Sequence, residues 1–287
     1  MDYAIEINNL TKHYDGFTLD HISFNLPSGC IMGFIGENGA GKTTTIKALL
    51  NLIHKDSGKI RILGKDPLEE ERAVKEQIGI VLADQTFPYD FNAKEIRMIM
   101  QNIYQSWDND LYQQYLNRFK LPEHKKIKAL SKGMRMKLSI ATALSHHPKL
   151  LILDEATSGL DPIIRNEILD LFQEFITDES HAVLMSSHIT SDLEKIADYI
   201  TFIHNGKLLF SEPRDNLFYN HGILKCSAEQ FSVLDLGSDL IGYRRSSFGI
   251  EALIKDPDSL RSHFPDTIID PPTLDDFMLF YTKGAQQ

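Results

Sequence analysis

The stretch Gly36 to Thr45, GENGAGKTTT, constrains this chain more than any other part of it. Ahead of it, Cys30-Ile31-Met32-Gly33-Phe34-Ile35 is an apolar run with the character of a short buried strand. Behind it, Thr44, Ile46, Leu49, Leu50 and Ile53 keep helical spacing. Gly36, four intervening residues and then Gly41-Lys42-Thr43 is the spacing of a loop whose backbone N–H groups turn inward around an anion. The helix that follows adds the partial positive charge of its N-terminus. In this arrangement Gly36, Glu37, Asn38, Gly39, Ala40, Gly41, Lys42, Thr43 and Thr44 surround the phosphates of a nucleotide. Lys42 reaches the β- and γ-phosphates as a point charge, and the Thr43 hydroxyl takes a Mg²⁺ position.

The 287 residues, 42% of them hydrophobic, can fill one large core and a smaller one. No run approaches the roughly 18 consecutive apolar residues of a membrane span, and the opening MDYAIEINNL has no basic region followed by an apolar one. A cytoplasmic protein is expected, held at a membrane only through a partner. A formal net charge of −10 argues against a nucleic-acid surface, which needs clustered Lys and Arg. Cys30 and Cys226 each fall in an apolar, strand-like run and read as buried reduced thiols.

Residues 3–35 alternate in short runs with turns at Asp15-Gly16 and Pro27-Ser28-Gly29, so a few antiparallel strands precede the loop. Tyr14, alone before the first turn, offers a flat face for an adenine or simply packs on its neighbours. Ser57–Gly64 and Ile78–Leu82 read as further strands. From Asn92 to His147 the spacing becomes helical, with Pro122 as a break and Trp107 as a packing residue between helices. Ser131 is placed as the N-cap of a helix, and with Gly133 it makes a second candidate anion site.

Leu150-Leu151-Ile152-Leu153 then ends abruptly in Asp154-Glu155, two acids beside a core strand, which is costly unless a cation or a proton transfer uses them. Asp154 suits the Mg²⁺ of the nucleotide, and Glu155 suits the orientation and deprotonation of an attacking water. A second buried strand, Ala182 to Ser186, runs into Ser187-His188, and His188 either contacts the γ-phosphate or that water, or caps the next helix. Tyr199 to Phe210 reads as a hairpin about Asn205-Gly206. Past Pro213 the phosphate-handling signals stop. Strand-like Ile223–Cys226 and Gly249–Ile254 and a terminal helix from Leu274 form a small α/β appendage.

Together these segments resemble the ATP-binding subunit of ABC transporters over about residues 3–215. GENGAGKTT looks like the Walker A loop, LSKGM at Leu130 to Met134 like the signature motif, and LLILDE at residues 150–155 like Walker B. Ser158-Gly159-Leu160-Asp161 corresponds to the D-loop, His188 to the switch histidine and Tyr14 to the adenine-stacking aromatic. The resemblance implies an α/β phosphate-loop NTPase core with a mainly parallel sheet, an N-terminal antiparallel β subdomain, a helical insert over about residues 84–147 and an accessory domain over 216–287. It implies ATP and Mg²⁺ as ligands. A homodimer, or a pair with a related ATPase subunit, would bring Ser131 and Gly133 of one copy onto the γ-phosphate held by the other, with Asp161 in the same interface.

Two departures stand out. Lys132 and Met134 replace residues of the usual LSGGQ. The family's loop glutamine falls on Ala83, so either Gln85 slides into place as a metal and nucleotide ligand or Asp84 substitutes. The variant signature and the appended C-terminus look most like ATPases of bacterial ABC-2-type exporters, which work with a separate membrane-spanning permease from the inner face of the cell membrane. The alternatives are a soluble ABC-type ATPase acting on nucleic acid, a phosphoryl-transferring kinase and a nucleotide-gated regulator.

Overall fold

Alternating apolar and polar residues at the start of the chain form two long antiparallel strands, β1 (Tyr3–Tyr14) and β2 (Phe17–Pro27), reversed at Asp15-Gly16. Ile5 and Ile7 of β1 face the core while Glu6 and Asn8 turn away, the period of two of a half-buried strand, and a register shift between Ile7 and Leu10 brings Leu10 back into the core. This is a computed structural model that describes residues 2–82, 87–234, 236–247, 249–264 and 267–283. The chain divides into two units, Met1–Ser211 and Glu212–Gln287.

In the first unit, β3 (Ile31–Ile35) leaves the antiparallel sheet and enters a second one, followed by α1 (Lys42–Leu49). The next strand, β4 (Ser57–Ile62), returns to pair antiparallel with β1, giving the order β2-β1-β4. Then come α2 (Glu71–Lys75) and β5 (Ile78–Val81), and after them the helical stretch, α3 (Ala93–Ile103), α4 (Asn109–Arg118) and α5 (Lys132–Leu144). A capping box joins Asn92 and Glu95 at the start of α3, and Asp108 caps α4. Trp107 packs beside Tyr112, with ring centroids 5.2 Å apart, and its indole N–H donates to Asn109.

The remainder is β6 (Leu150–Asp154), α6 (Pro162–Phe175), β7 (Ala182–Ser186), α7 (Thr190–Ile196), β8 (Tyr199–His204) and β9 (Lys207–Pro213). The second sheet has the order β5-β6-β7-β3-β8-β9, and the pairs from β5 through β8 are parallel. β3, β6 and β7 are buried along their whole length, which explains why they read as continuous apolar runs rather than alternating ones. Each fully buried Leu or Ile contributes about 1.5–3 kcal/mol of transfer free energy. Their polar residues are confined to the carboxyl ends, where the strands leave the core.

The second unit starts with α8 (Arg214–Tyr219) and β10 (His221–Cys226), then α9 (Ala228–Val233), β11 (Leu240–Ser246), β12 (Gly249–Lys255), α10 (Pro257–His263), β13 (Ile268–Asp270) and α11 (Leu274–Lys283). Its sheet is antiparallel in the order β11-β12-β10-β13, over a small core of Leu224, Leu236, Ala252 and Ile254. Cys30 and Cys226 are free but only half-buried, each near a strand end, and burial pushes both thiols up.

Candidate functional site

The loop between β3 and α1 is shaped by two glycines. A side chain on Gly36 would place its Cβ 2.4 Å from the Ile203 carbonyl oxygen of β8, so only glycine lets the loop start this close to the sheet. Gly41, at φ 117°, is the N-cap of α1, which has neither a side-chain cap nor an acid in its first turn. Ser, Thr, Asn or Asp at that position would cap the helix itself; Gly41 supplies no such group. The hairpin turn Asn205-Gly206, with φ of 47° and 75°, lies against this loop, and Gly206 donates its N–H to Ala40 O at 2.9 Å.

Lys42 opens α1 and is only 6% exposed. Its ammonium folds back onto the loop, donating to Gly36 O at 2.6 Å and Glu37 O at 3.2 Å. Burial lowers its pKa, and the carboxylates of Glu155 and Asp154 oppose that effect. Beside it, Thr43 Oγ1 donates to Asp154 Oδ2 at 3.1 Å, and Ser186 Oγ of β7 donates to the other oxygen, Oδ1. Asp154 is 5% exposed, so these hydroxyls are what make a carboxylate tolerable at the end of β6.

Glu155 follows in a left-handed conformation, φ 54°, with its N–H donated to Ser186. That turn swings its side chain out of the strand direction and toward His188, whose Nδ1 lies 2.5 Å from Oε2. Sequence reasoning placed Lys42, Thr43, Asp154, Glu155 and His188 at one site, and the fold brings all five to the carboxyl edge of the parallel sheet.

A cavity of about 400 Å³ opens over them, lined by Phe17, Glu37, Asn38, Gly39, Gly41, Lys42, Thr43, Thr44, Lys132, Met136, Glu155, Ser158 and His188. Tyr14 is not among these residues. It is 46% exposed at the strand tip, with the Lys12 ammonium 5.5 Å from its ring centre, and Phe17, its cross-strand partner, supplies the aromatic wall. Ser131, Gly133 and Asp161 also lie outside the lining. Ser131 Oγ accepts the Met134 N–H at 3.2 Å and Asp161 Oδ1 accepts that of Ile164 at 3.0 Å, each capping its helix. Gln85, with Ala83 and Asp84, lies outside the described residues. Phe17, Met136 and Ser186 were missed. Of these only Ser186 left a signal, as a hydroxyl at the end of a fully apolar strand.

Fold and site together define a class: a phosphate-loop nucleotide-binding protein of α/β architecture, with its ligand crevice at the carboxyl ends of a parallel sheet. The family model for the ABC transporter matches residues 19–158. The bacitracin transport ATP-binding protein BcrA of Bacillus licheniformis is 37% identical over 220 residues, covering 76% of this chain and 72% of that protein. The lantibiotic transport ATP-binding protein SrtF of Streptococcus pyogenes is 34% identical over 214 residues, 74% of this chain and 91% of its own length. A solved structure described as the ATP binding subunit of an ABC transporter superposes with a TM-score of 0.69 at 25% identity, over 75% of this chain and 92% of that one.

The chain belongs to the ABC transporter family, as an ATP-binding and ATP-hydrolysing subunit. No helix among the described residues is long and apolar enough to cross a membrane.

Proposed function

We propose that this subunit powers export through a separate membrane-spanning permease, working from the cytoplasmic face of the cell membrane, and that two such ATPase subunits close around ATP. The observation that carries the reading is the alignment of Thr43, Asp154, Glu155 and His188 along one edge of the Lys42 cavity. Transport ATP-binding relatives support the permease partner.

In this reading Lys42 exchanges its contacts with the Gly36 and Glu37 carbonyls for the β- and γ-phosphates. A hydroxyl and a carboxylate 3.1 Å apart, both oxygen donors, fit a hard divalent cation, so Thr43 and Asp154 would hold Mg²⁺. An ion held there would neutralise phosphate charge. Glu155 orients and deprotonates the attacking water, and His188, now paired with Glu155, fixes that carboxylate and faces the γ-phosphate. The adenine stacks at the β1–β2 tip, where Phe17 lines the cavity and Tyr14 stands beside it. Ser131 and Gly133 serve the twin subunit's nucleotide. The Ser131 oxygen accepts from Met134, which leaves its hydroxyl proton to donate. Asp161 sits in the same interface, and Gln85 is assigned to the metal.

Phosphate release by Glu155→Gln, measured alone and with co-purified membrane protein, tests the reading. Turnover should fall by about a hundredfold or more while ATP still binds. Unchanged turnover would reject the role of Glu155.

A further inference from the structure

Two serines stand at the carboxyl end of β7, and they make different contacts. Ser187 turns its hydroxyl to the chain just ahead of it, accepting the Ile189 N–H at 2.9 Å. Ser186, the last residue of the strand, reaches across to β6 instead. It is the register partner of Asp154 and is fully buried, and its Oγ lies 2.5 Å from Asp154 Oδ1. The same Oγ lies 3.2 Å from the backbone nitrogen of Glu155.

A serine hydroxyl has one proton to give. The Glu155 amide can only donate, so it takes a lone pair of Oγ, and the proton is committed to Asp154. The hydrogen bonds therefore run one way, from Glu155 N–H through Ser186 Oγ–H to Asp154 Oδ1. Thr43 donates to the other oxygen, Oδ2, at 3.1 Å, so a hydroxyl on each side fixes the plane of the carboxylate between β7 and the start of α1. Glu155 does not depend on this hydroxyl. Its N–H is shared with the Ser186 carbonyl at 3.1 Å and keeps an acceptor when Oγ is removed. Asp154 Oδ1 has no second donor among the described residues.

We propose that Ser186 is a positioning residue for the divalent cation: its hydroxyl holds Asp154 in the orientation in which the carboxylate and Thr43 receive Mg²⁺. The proposal rests on the reading of Thr43 and Asp154 as the cation's ligands. A carboxylate only 5% exposed that loses its donor turns to find another, and the preset orientation goes with it.

The test is equilibrium titration of the full chain with the β,γ-imido analogue of ATP, which resists hydrolysis, in excess Mg²⁺ and again in EDTA. Ser186→Ala should weaken binding about tenfold in Mg²⁺ and by no more than about twofold in EDTA. Ser186→Cys, which keeps the site filled but offers a weak donor, should change in the same direction. Ser187→Ala, which removes the same oxygen one residue along, should leave the ratio of the two affinities as it is in the unaltered chain. Added to Asp154→Asn, Ser186→Ala should take nothing further from that ratio. Equal losses in Mg²⁺ and EDTA, unchanged affinity in Mg²⁺, the same change in Ser187→Ala, or losses that add in the double variant would overturn the proposal. If the unaltered chain binds the analogue no more tightly in Mg²⁺ than in EDTA, the assignment of Thr43 and Asp154 to the cation falls, and this proposal with it.

Discussion

Two helix N-termini in this molecule solve one problem in opposite ways. Both α1 and α5 begin with backbone N–H groups that the helix cannot use. At α5, Ser131 caps the helix with its own hydroxyl; at α1, Gly41 supplies nothing, and the positive end is left open beneath a cavity. The first arrangement is complete without a ligand and the second is not. Beside the uncapped end, the buried ammonium of Lys42 is held on its own loop's carbonyls.

The largest effect that would break the contrast is at Lys42. Lys42→Ala should lower ATP affinity by about a hundredfold or more, read by titration calorimetry, and retained affinity would mean that the open end of α1 is not the phosphate site. Next is Gly36→Ala, whose Cβ cannot coexist with the Ile203 carbonyl at 2.4 Å; loss of about 2–3 kcal/mol in urea unfolding is expected, together with weaker ATP binding. In the same measurement Ser131→Ala should cost about 1 kcal/mol of stability through loss of its cap, and Asp161→Ala a similar amount at α6.

The smallest effect is one of pH. Burial lowers the Lys42 pKa in the free protein, and bound phosphate would raise it again, so ATP binding favours the protonated lysine. Affinity should decline as the pH rises through the lowered value, which lies below the ordinary 10.5. A flat profile up to that pH would argue against phosphate contact by this ammonium.

Much of the site was legible because its elements are extreme. A strand buried on both faces must be apolar throughout, so acids at its end, as at Asp154 and Glu155, stand out. Asn205-Gly206 announced a turn needing positive φ at both residues, and both have it. Ser131 was placed as a cap from its neighbours alone, and caps α5.

What sequence could not supply was which neighbour meets which. The strand at Ser57–Ile62 was expected, but nothing in its pattern says that it pairs with β1 rather than joining the parallel sheet. Tyr14 and Phe17 face each other across the β1–β2 turn, and only the register decides which ring lines the cavity. In the second unit, β11 was missed because Arg244 and Arg245 interrupt its alternation at exposed positions, and β13 has only three residues to show a period.

The turn at Asn205-Gly206 has a mechanical meaning beyond its conformation. Gly206 gives its N–H to Ala40 and accepts from Asp20 N at 2.7 Å, while a Cβ on it would sit 1.8 Å from Thr18 O. One residue thus clamps the curved phosphate-binding segment to the second strand of the antiparallel sheet, on whose tip the Phe17 ring stands. A second close approach lies at Gly41, where a Cβ would come 3.0 Å from Leu19 Cδ1 and 3.2 Å from Phe17 Cζ, so the antiparallel sheet meets the phosphate-binding segment at two points.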